Sequence, residues 1–315
     1  MNKPEISVII PTYNEEESLP KLFERIFPIL DGLERAYEVI LVNDGSRDAT
    51  LPLLLRAQKR YPGRVRIIDF NGNFGQHMAI MAGLDRAQGE MMITLDADLQ
   101  NPPEEIPRMV RCVDDGHDVV GTVRRQRQDT LFRRTASRLV NRLTNRITGL
   151  SLHDYGCMLR AYRRDVVDII NESAETTTFI PALAQKFATN PIEIDVAHSE
   201  REKGQSKYSL FRLIRLNFDL MTGFSMVPLQ AVTMAGILIS ALSFLFAAFM
   251  FIRRLIVGPE AEGVFTLLAI LFLLMGVTIS CIGIQGEYVG RIYQEVRKRP
   301  RYVIRKVYDA QEAER

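Results

Sequence analysis

Two long apolar runs near the carboxyl end constrain the fold of this chain more than any other feature. Leu229–Ile252 and Val264–Ile284 contain no Asp, Glu, Lys or Arg. Each run reaches the roughly 20 residues that a helix needs to cross a hydrocarbon core about 30 Å thick. Soluble helices are seldom apolar on every face over such a length, although a pair of buried core helices would give the same pattern. We therefore predict two membrane-spanning helices behind a water-soluble domain.

Basic residues cluster beside these runs. Eight arginines and one acid lie in 124–146, and seven basic residues and one acid lie in 291–306. The segment 253–263 between the runs carries two arginines and two glutamates. Because positive charge marks the cytoplasmic side of a membrane, we expect this segment outside and both termini in the cytoplasm. The same charge suits the head groups of anionic lipids.

Two other classes of protein are disfavoured. The basic segments carry no nucleic-acid recognition motif, so we expect no nucleic-acid partner. The three cysteines are scattered, which argues against a disulfide framework. Residues 1–16 lack the pattern of a signal peptide, and this also places the amino-terminal domain in the cytosol.

The first half of the chain alternates between β-branched runs and stretches with helical spacing such as Leu51–Arg60 and Gln76–Ala87. The predicted strands are Ile6–Ile10, Tyr37–Val42, Val65–Phe70, Met91–Leu95 and Asp118–Val123. This alternation predicts an α/β fold with a doubly wound, mostly parallel sheet. Ligands of such sheets bind at the carboxyl ends of the strands.

Two amphipathic stretches separate this domain from the apolar runs. Arg134, Arg138, Arg142 and Arg146 recur every four residues beside an apolar stripe, and Tyr208–Phe224 has a similar pattern. Basic amphipathic helices of this kind lie in the membrane interface. An ordinary helix with a solvated arginine face is the alternative for each.

Polar segments follow three of the predicted strands. Pro11–Glu15 follows the first, Asn43–Ser46 the second, and Asp96-Ala97-Asp98 the fourth. Mg²⁺ and Mn²⁺ prefer oxygen ligands and often take one or two carboxylates together with substrate phosphates. Two carboxylates at a strand end therefore predict a metal–phosphate site at this edge of the sheet.

Together the three segments resemble the nucleotide-sugar site of inverting GT-A type glycosyltransferases. The residues that this resemblance implies in nucleoside binding are Pro11, Tyr13 and Glu15. Asp44 would accept a hydrogen bond from the uracil ring. Asp98 would coordinate the metal of the donor diphosphate, Mg²⁺ or Mn²⁺, with Asp96 beside it.

Further segments resemble the bacterial polyisoprenyl-phosphate glycosyltransferases of family 2. They are 75–83, 95–107, 121–129, 154–162, 201–208 and 286–293. This likeness covers nearly the whole chain and implies transfer of one sugar from a UDP donor to undecaprenyl phosphate. It also implies a multi-pass protein of the bacterial inner membrane with a cytoplasmic catalytic domain.

The resemblance divides the chain into four parts. We expect a cytosolic GT-A domain at 1–205, an interfacial helix at 206–226, a two-helix transmembrane hairpin at 227–286 and a basic cytosolic tail at 287–315. Relatives imply a homo-oligomer, a tetramer. The chain has no Trp and thus lacks the Gln-x-x-Arg-Trp motif of processive synthases, while two spans cannot enclose a polymer channel.

The resemblance favours 4-deoxy-4-formamido-L-arabinose as the sugar, for modification of lipid A with aminoarabinose and polymyxin resistance. Transfer of glucose or another hexose from its UDP donor is the nearest alternative. A non-catalytic membrane partner of a lipid flippase is a third, against which the intact Asp44, Asp96 and Asp98 argue.

The implied chemistry requires two phosphate groups to approach each other. A phosphate monoester has a second pKa near 6, so the acceptor is largely a dianion and needs little help from a base. The candidates for neutralising these phosphates are Arg124, Arg134, Arg201 and Lys207. Asp154 is the candidate catalytic residue near the acceptor, as a base or an orienting group, and a helix cap or turn is its alternative role.

Overall fold

The computed structural model describes residues 3–124, 157–173, 179–196, 227–257, 263–296 and 300–309. These fall into two compact units. The first contains the described residues up to 196 together with 300–309, and the second contains 227–257 and 263–296.

The first unit is built on one eight-stranded sheet. Its strands are β1 (Ile6–Thr12), β2 (Tyr37–Asn43), β3 (Val65–Phe70), β4 (Met91–Thr94), β5 (Val119–Arg124), β6 (Arg160–Arg163), β7 (Pro191–Val196) and β8 (Ile304–Tyr308). Their order is β7-β5-β6-β4-β1-β2-β3-β8. Strands β4, β1, β2 and β3 are parallel neighbours, whereas β6 and β8 pair antiparallel with their neighbours. The predicted α/β fold with a mostly parallel sheet is thus confirmed.

Helices cover both faces of this sheet. They are α1 (Leu19–Asp31), α2 (Thr50–Arg60), α3 (Gln76–Arg86), a 3₁₀ turn (Pro103–Glu105), α4 (Ile106–Asp114), α5 (Arg164–Glu172) and α6 (Ile180–Phe187). Side chains alternate across a strand, so Val8 of β1 lies in the core cluster with Leu22 of α1. Ile9 faces the opposite way, and a Cβ on Gly83 of α3 would lie 2.4 Å from its side chain. Helices on both faces agree with the doubly wound arrangement that the sequence predicts.

The sequence predicts that the first strand ends before Pro11, but in the structure Pro11 lies within β1. β1 continues to Thr12 and pairs with β2 along its whole length. The carbonyl of Ile9 accepts from Leu95 on the β4 side, and Pro11, two residues further on, points to that same side. Pairing with β4 has ended there, so the missing N–H of proline costs no ladder hydrogen bond.

Asp118 lies just before β5 rather than at its first position. It is buried, and its carboxylate accepts hydrogen bonds from the Thr189 hydroxyl and from the backbone N–H groups of Thr189 and Asn190. Burial acts to raise the pKa of Asp118, but these hydrogen bonds outweigh it and the pKa is lowered. The carboxylate therefore fixes the turn that leads into β7.

The described residues of 287–315, the expected basic cytosolic tail, belong to two different elements. Those up to Val296 continue a helix of the second unit, and Ile304–Tyr308 forms β8 at the edge of the main sheet. β8 pairs antiparallel with β3. Its short, charged sequence gave no strand signal, because an edge strand needs only one buried face.

The second unit consists of two long helices, α7 (Val227–Val257) and α8 (Val264–Val296). In the part of the chain that the structure describes, one helix is long and apolar enough to cross a membrane. It is Leu229–Phe246 in α7, with mean hydropathy 2.0 and none of its residues buried. This lack of burial disfavours a buried core helix for the first apolar run. The second run lies within α8, and its crossing of a membrane stays a prediction.

Candidate active site at the carboxyl edge of the sheet

The three polar segments of the sequence analysis follow β1, β2 and β4, which are consecutive in the sheet. Thr12 and Asn43 are partners at the ends of β1 and β2. Parallel strands present their carboxyl ends on one edge, so the segments share that edge as predicted. The site is built from the loops that extend beyond it.

The loop after β1 carries the first set of predicted nucleoside contacts. Pro11 is buried within β1, whereas Tyr13 is 44% exposed. Glu15 is half-buried: its carboxylate accepts from the Ser18 hydroxyl at 2.6 Å, and its backbone N–H donates to Thr50 Oγ1 at 2.8 Å. Tyr13 thus presents an aromatic surface to solvent, while Glu15 is fixed to the neighbouring elements.

Reciprocal hydrogen bonds join this loop to the loop after β2. The Asn14 N–H donates to Ser46 Oγ at 3.0 Å, and the Arg47 N–H donates to Asn14 Oδ1 at 2.9 Å. Asn14 has a φ of 54°, in the left-handed region that Asn tolerates better than most residues. The two loops therefore form one connected rim.

Asp44 is the most constrained carboxylate of the rim. It is 3% exposed, and it accepts from the backbone N–H of Phe74 at 2.6 Å and of Gly75 at 2.9 Å. Burial raises the pKa of Asp44, and the two backbone hydrogen bonds oppose that rise. An ionised carboxylate has about four lone-pair sites, so these two bonds leave acceptor capacity for a ligand. Asp44 thus holds the loop after β3 in place besides any role toward a nucleotide.

Both carboxylates of the Asp-x-Asp motif lie in the loop after β4. One oxygen of Asp96 accepts from the side-chain amide of Gln76, and the other accepts from the amide of Asn101 at 3.3 Å. Asp98 accepts from the Gln100 N–H at 3.1 Å, and Leu99 between them has a φ of 61°. The loop is a tight turn that keeps the two aspartates on one short stretch of backbone.

Gln76 and Asn101 bind Asp96 at the site, although neither was predicted from the sequence. Behind Asn101, which is buried, Cys157 Sγ contacts Asn101 Oδ1 at 3.4 Å and Thr122 Oγ1 at 2.9 Å. This buried network ties the Asp96 loop to β5 and to the segment before β6. Gln76 lies in the resembling segment 75–83, and Asn101 lies in 95–107, but neither residue type by itself indicated a contact with Asp96.

His77 lies beside Gln76 in the first turn of α3. Its Nδ1 atom is buried and has no hydrogen-bond partner among the residues that the structure describes, and its ring meets Phe179 edge-on with centroids 5.3 Å apart. Burial lowers the pKa of His77 to about 4. The imidazole is therefore neutral at physiological pH.

Most of the predicted acceptor-site residues are outside the described part of the chain. They are Asp154, Arg134, Arg201 and Lys207, together with the amphipathic stretches around 131–150 and 208–224. Arg124 ends β5 at the same side of the sheet, but its side chain is not among those described. Their roles stay predictions.

The described residues offer a limited set of metal ligands. Among them no cluster of three or more His, Cys, Asp or Glu side chains could hold an ion by itself. Asp96 and Asp98 supply carboxylate oxygens at the edge where ligands bind. This donor set fits Mg²⁺ or Mn²⁺ that takes one or two carboxylates and completes its shell with substrate phosphates and water.

The fold and this edge define a class of protein. Residues 7–170 match the family model described as glycosyl transferase family 2. The chain belongs to this family and is a glycosyltransferase, which confirms the resemblance noted in its motifs.

The chain is also similar over nearly its whole length to relatives that are named for one reaction. The chain is 52% identical over 304 residues to the undecaprenyl-phosphate 4-deoxy-4-formamido-L-arabinose transferase of Proteus mirabilis, covering 96% of this chain and 93% of the relative. It is 51% identical over 318 residues to the protein of the same description from Yersinia pestis, covering 100% and 97%. A solved structure described as that of a mycobacterial protein matches with TM-score 0.50 and 18% identity over 70% of this chain and 73% of the other. At that identity the likeness shows the fold alone.

Proposed function

We propose that this chain transfers 4-deoxy-4-formamido-L-arabinose from its UDP donor to undecaprenyl phosphate, with inversion at the anomeric carbon. One observation carries the proposal: identity of about half of all residues over nearly the full length of relatives named for this transfer. The product would serve modification of lipid A with aminoarabinose and thereby resistance to polymyxin. Transfer of glucose or another hexose from its UDP donor is the alternative that the assay below separates.

The geometry of the edge supports donor binding there. Tyr13 offers an exposed ring for the nucleoside, next to the fixed Glu15 and to Pro11. Asp44 retains lone pairs for the uracil N–H, because its two backbone hydrogen bonds use half of its acceptor capacity. The diphosphate would then extend toward Asp96 and Asp98 across the loop after β4.

The acidic pair would hold the metal of the donor. A divalent cation there would act as a Lewis acid on the negative charge of the leaving diphosphate. Gln76 and Asn101 orient the Asp96 carboxylate by holding both of its oxygens. Arg124, Arg134, Arg201 and Lys207 would offset the charge of the two phosphate groups, and Asp154 would orient the attacking phosphate oxygen or accept its proton.

A lipid acceptor requires attachment to the membrane, and the second unit supports it. The apolar side chains of α7 are largely exposed, Phe244 to 74% and Leu245 to 64%, as expected of a surface that faces lipid rather than water. We propose that α7 and the apolar part of α8 form the two-helix hairpin of a multi-pass inner-membrane protein, with the catalytic unit in the cytoplasm. The basic residues of 124–146 and of 291–301, which precede β8, would bind anionic lipids, and the chain would form a homo-oligomer.

The deciding experiment uses the purified full-length protein in detergent with undecaprenyl phosphate and a panel of UDP-sugars. We expect lipid-linked product from the formamido-arabinose donor and little from UDP-glucose. Asp98→Asn should abolish turnover in Mg²⁺ and in Mn²⁺ without lowering the unfolding midpoint. Asp115→Asn, at an exposed aspartate after α4, is the matched control and should retain full activity.

Two outcomes would contradict the proposal. Faster transfer from UDP-glucose would show that the proposed sugar is wrong, although the proposed class of reaction would still hold. Unchanged turnover of Asp98→Asn would remove the metal assignment. In either case the Asp115→Asn control shows whether loss of an acidic side chain is by itself harmful.

A further inference from the structure

The carboxyl-terminal strand β8 reaches the donor edge of the sheet. It pairs antiparallel with β3, whose following loop carries the backbone N–H groups that bind Asp44. The carbonyl of Val303, just before β8, accepts from the Asn71 N–H at 3.0 Å. The backbone just before β8 is thus attached to the start of that loop.

A β-bulge sets the direction of one side chain of β8. Asp69 is the partner of Lys306, but the next residue of β3, Phe70, is the partner of Ile304. Arg305 is therefore the extra residue of the bulge. Bulges redirect side chains at sheet edges and next to active sites. Here the Arg305 guanidinium lies 3.4 Å from Asp69 Oδ2, while the ammonium of Lys306 lies over the Tyr308 ring.

Asp69, the partner of Arg305 in this ion pair, also binds Asn43, the residue that precedes Asp44. Asp69 is 1% exposed, and its other carboxylate oxygen accepts from the side-chain amide of Asn43 at 2.7 Å. Asn43 Oδ1 in turn accepts from the Ser46 N–H at 3.2 Å. A buried carboxylate without compensating partners is costly, so Arg305 stabilises the charge on which the Asn43 conformation depends.

Aromatic contacts also connect the segment before β8 to the loop after β3. Tyr302 stacks on the buried Phe70 with centroids 5.1 Å apart and ring planes 12° apart. Phe70 meets Phe74 edge-on at 5.6 Å, and Phe74 donates the shorter of the two backbone hydrogen bonds to Asp44. Tyr302 therefore packs against the base of the loop that surrounds Asp44.

We propose that Arg305 and Tyr302 are positioning residues for the donor nucleotide. They fix the loops on both sides of Asp44, through Asp69 and Asn43 on one side and through Phe70 and Phe74 on the other. This inference rests on the proposed binding of the UDP moiety at Asp44. In this proposal neither residue contacts the nucleotide: Arg305 acts through Asn43, the residue before Asp44, and Tyr302 acts through the loop that Asp44 binds.

The test compares Arg305→Met with Lys306→Met in the full-length protein. Both variants remove one exposed positive charge from β8, but only the first breaks the contact with Asp69. We expect Arg305→Met to weaken binding of UDP, measured by titration calorimetry, and to raise the donor KM by about three- to ten-fold, the effect of one weakened polar contact. The acceptor KM should be unchanged, and Lys306→Met should match the wild type.

Conservative variants separate positioning from stability. Arg305→Lys keeps the charge and should recover part of the donor affinity, and Tyr302→Phe keeps the stacked ring and should recover nearly all of what Tyr302→Ala loses. A lower unfolding midpoint with an unchanged UDP affinity, assayed below that midpoint, would overturn the inference. Equal effects of Arg305→Met and Lys306→Met would also overturn it.

The result also distinguishes this inference from the proposed function. If the wild-type protein bound no UDP, the donor site itself would be wrong. If the wild-type protein bound UDP and the Arg305→Met and Tyr302→Ala variants bound it equally well, only the positioning role would fail.

Discussion

Replacement of Gly45 by alanine should be among the most damaging single-methyl changes at the site. Gly45 follows Asp44 and has a φ of +69°. A Cβ on Gly45 would lie 2.5 Å from the carbonyl carbon of Gly72, 2.7 Å from its oxygen and 2.9 Å from the Asn73 nitrogen. All three atoms are backbone, so no side-chain rotation can relieve the contact. The loops after β2 and β3 can approach this closely only because position 45 has no side chain.

Two separate costs make up the expected loss of stability. A left-handed backbone costs a non-glycine residue about 1–2 kcal/mol. Inserting a methyl group into a packed contact costs about 1–3 kcal/mol. We therefore expect Gly45→Ala to lower the free energy of unfolding by about 2–5 kcal/mol. For a domain of this size, at about 2–4 °C for each kcal/mol, that corresponds to a fall of about 4–20 °C in Tm.

Gly116→Ala is the matched control. Gly116 also has a positive φ, +99°, but a Cβ there would have nothing within 4 Å. It should therefore show the backbone cost without the contact with Gly72. Thermal unfolding of both full-length variants in detergent, followed by circular dichroism, measures the difference. Equal losses of Tm would refute the steric argument, and a neutral Gly45→Ala would refute both parts of it.

Three further predictions concern other parts of the chain. Because its pKa is lowered, Asp118 stabilises the fold above its unfolded-state pKa near 4, and this contribution is lost as pH falls through the folded-state pKa. Asp118→Asn should thus flatten the decline of Tm below about pH 5, and an unchanged decline would contradict its role. A cysteine within 253–263 should react with impermeant reagents from the periplasm and one near Tyr302 should not; the reverse pattern would invert the topology. The double variant Arg138→Glu and Arg142→Glu should raise the KM for the polyprenyl phosphate in anionic liposomes and leave the donor KM unchanged. Each basic side chain near such a surface contributes about 1 kcal/mol. A raised donor KM would instead favour an ordinary helix whose arginine face is solvated.

The sequence predicted the centre of the sheet well because its signal is local. Buried parallel strands read as short apolar runs, and the predicted run Val65–Phe70 coincides with β3. The ends of other strands were less accurate. Pro11 reads as a strand breaker, yet its effect depends on which neighbour its nitrogen faces, and this follows from sheet order rather than from the local sequence.

The motif residues were predictable for a related reason, and their supports were not. Asp44 and the Asp-x-Asp pair follow apolar runs directly, so their common edge follows from strand polarity. Gln76 and Arg305 reach the site from elsewhere in the chain. Arg305 is 236 positions from Asp69, and its direction depends on a bulge in a strand whose own sequence gave no clear signal. Such contacts form only when the tertiary fold is complete.

Asp44, which we propose binds the nucleotide base, also has a structural role in the loops around it. Asp44 is 3% exposed, and the backbone N–H groups of Phe74 and Gly75 provide its carboxylate with stabilisation that solvent would otherwise give. Those same bonds fix the direction of its remaining lone pairs, and a fixed acceptor discriminates among ring N–H donors better than a mobile one. The loop that Asp44 holds is in turn held by β8 through Phe70. Recognition of the nucleotide base at this carboxylate would therefore depend on residues at both ends of the chain.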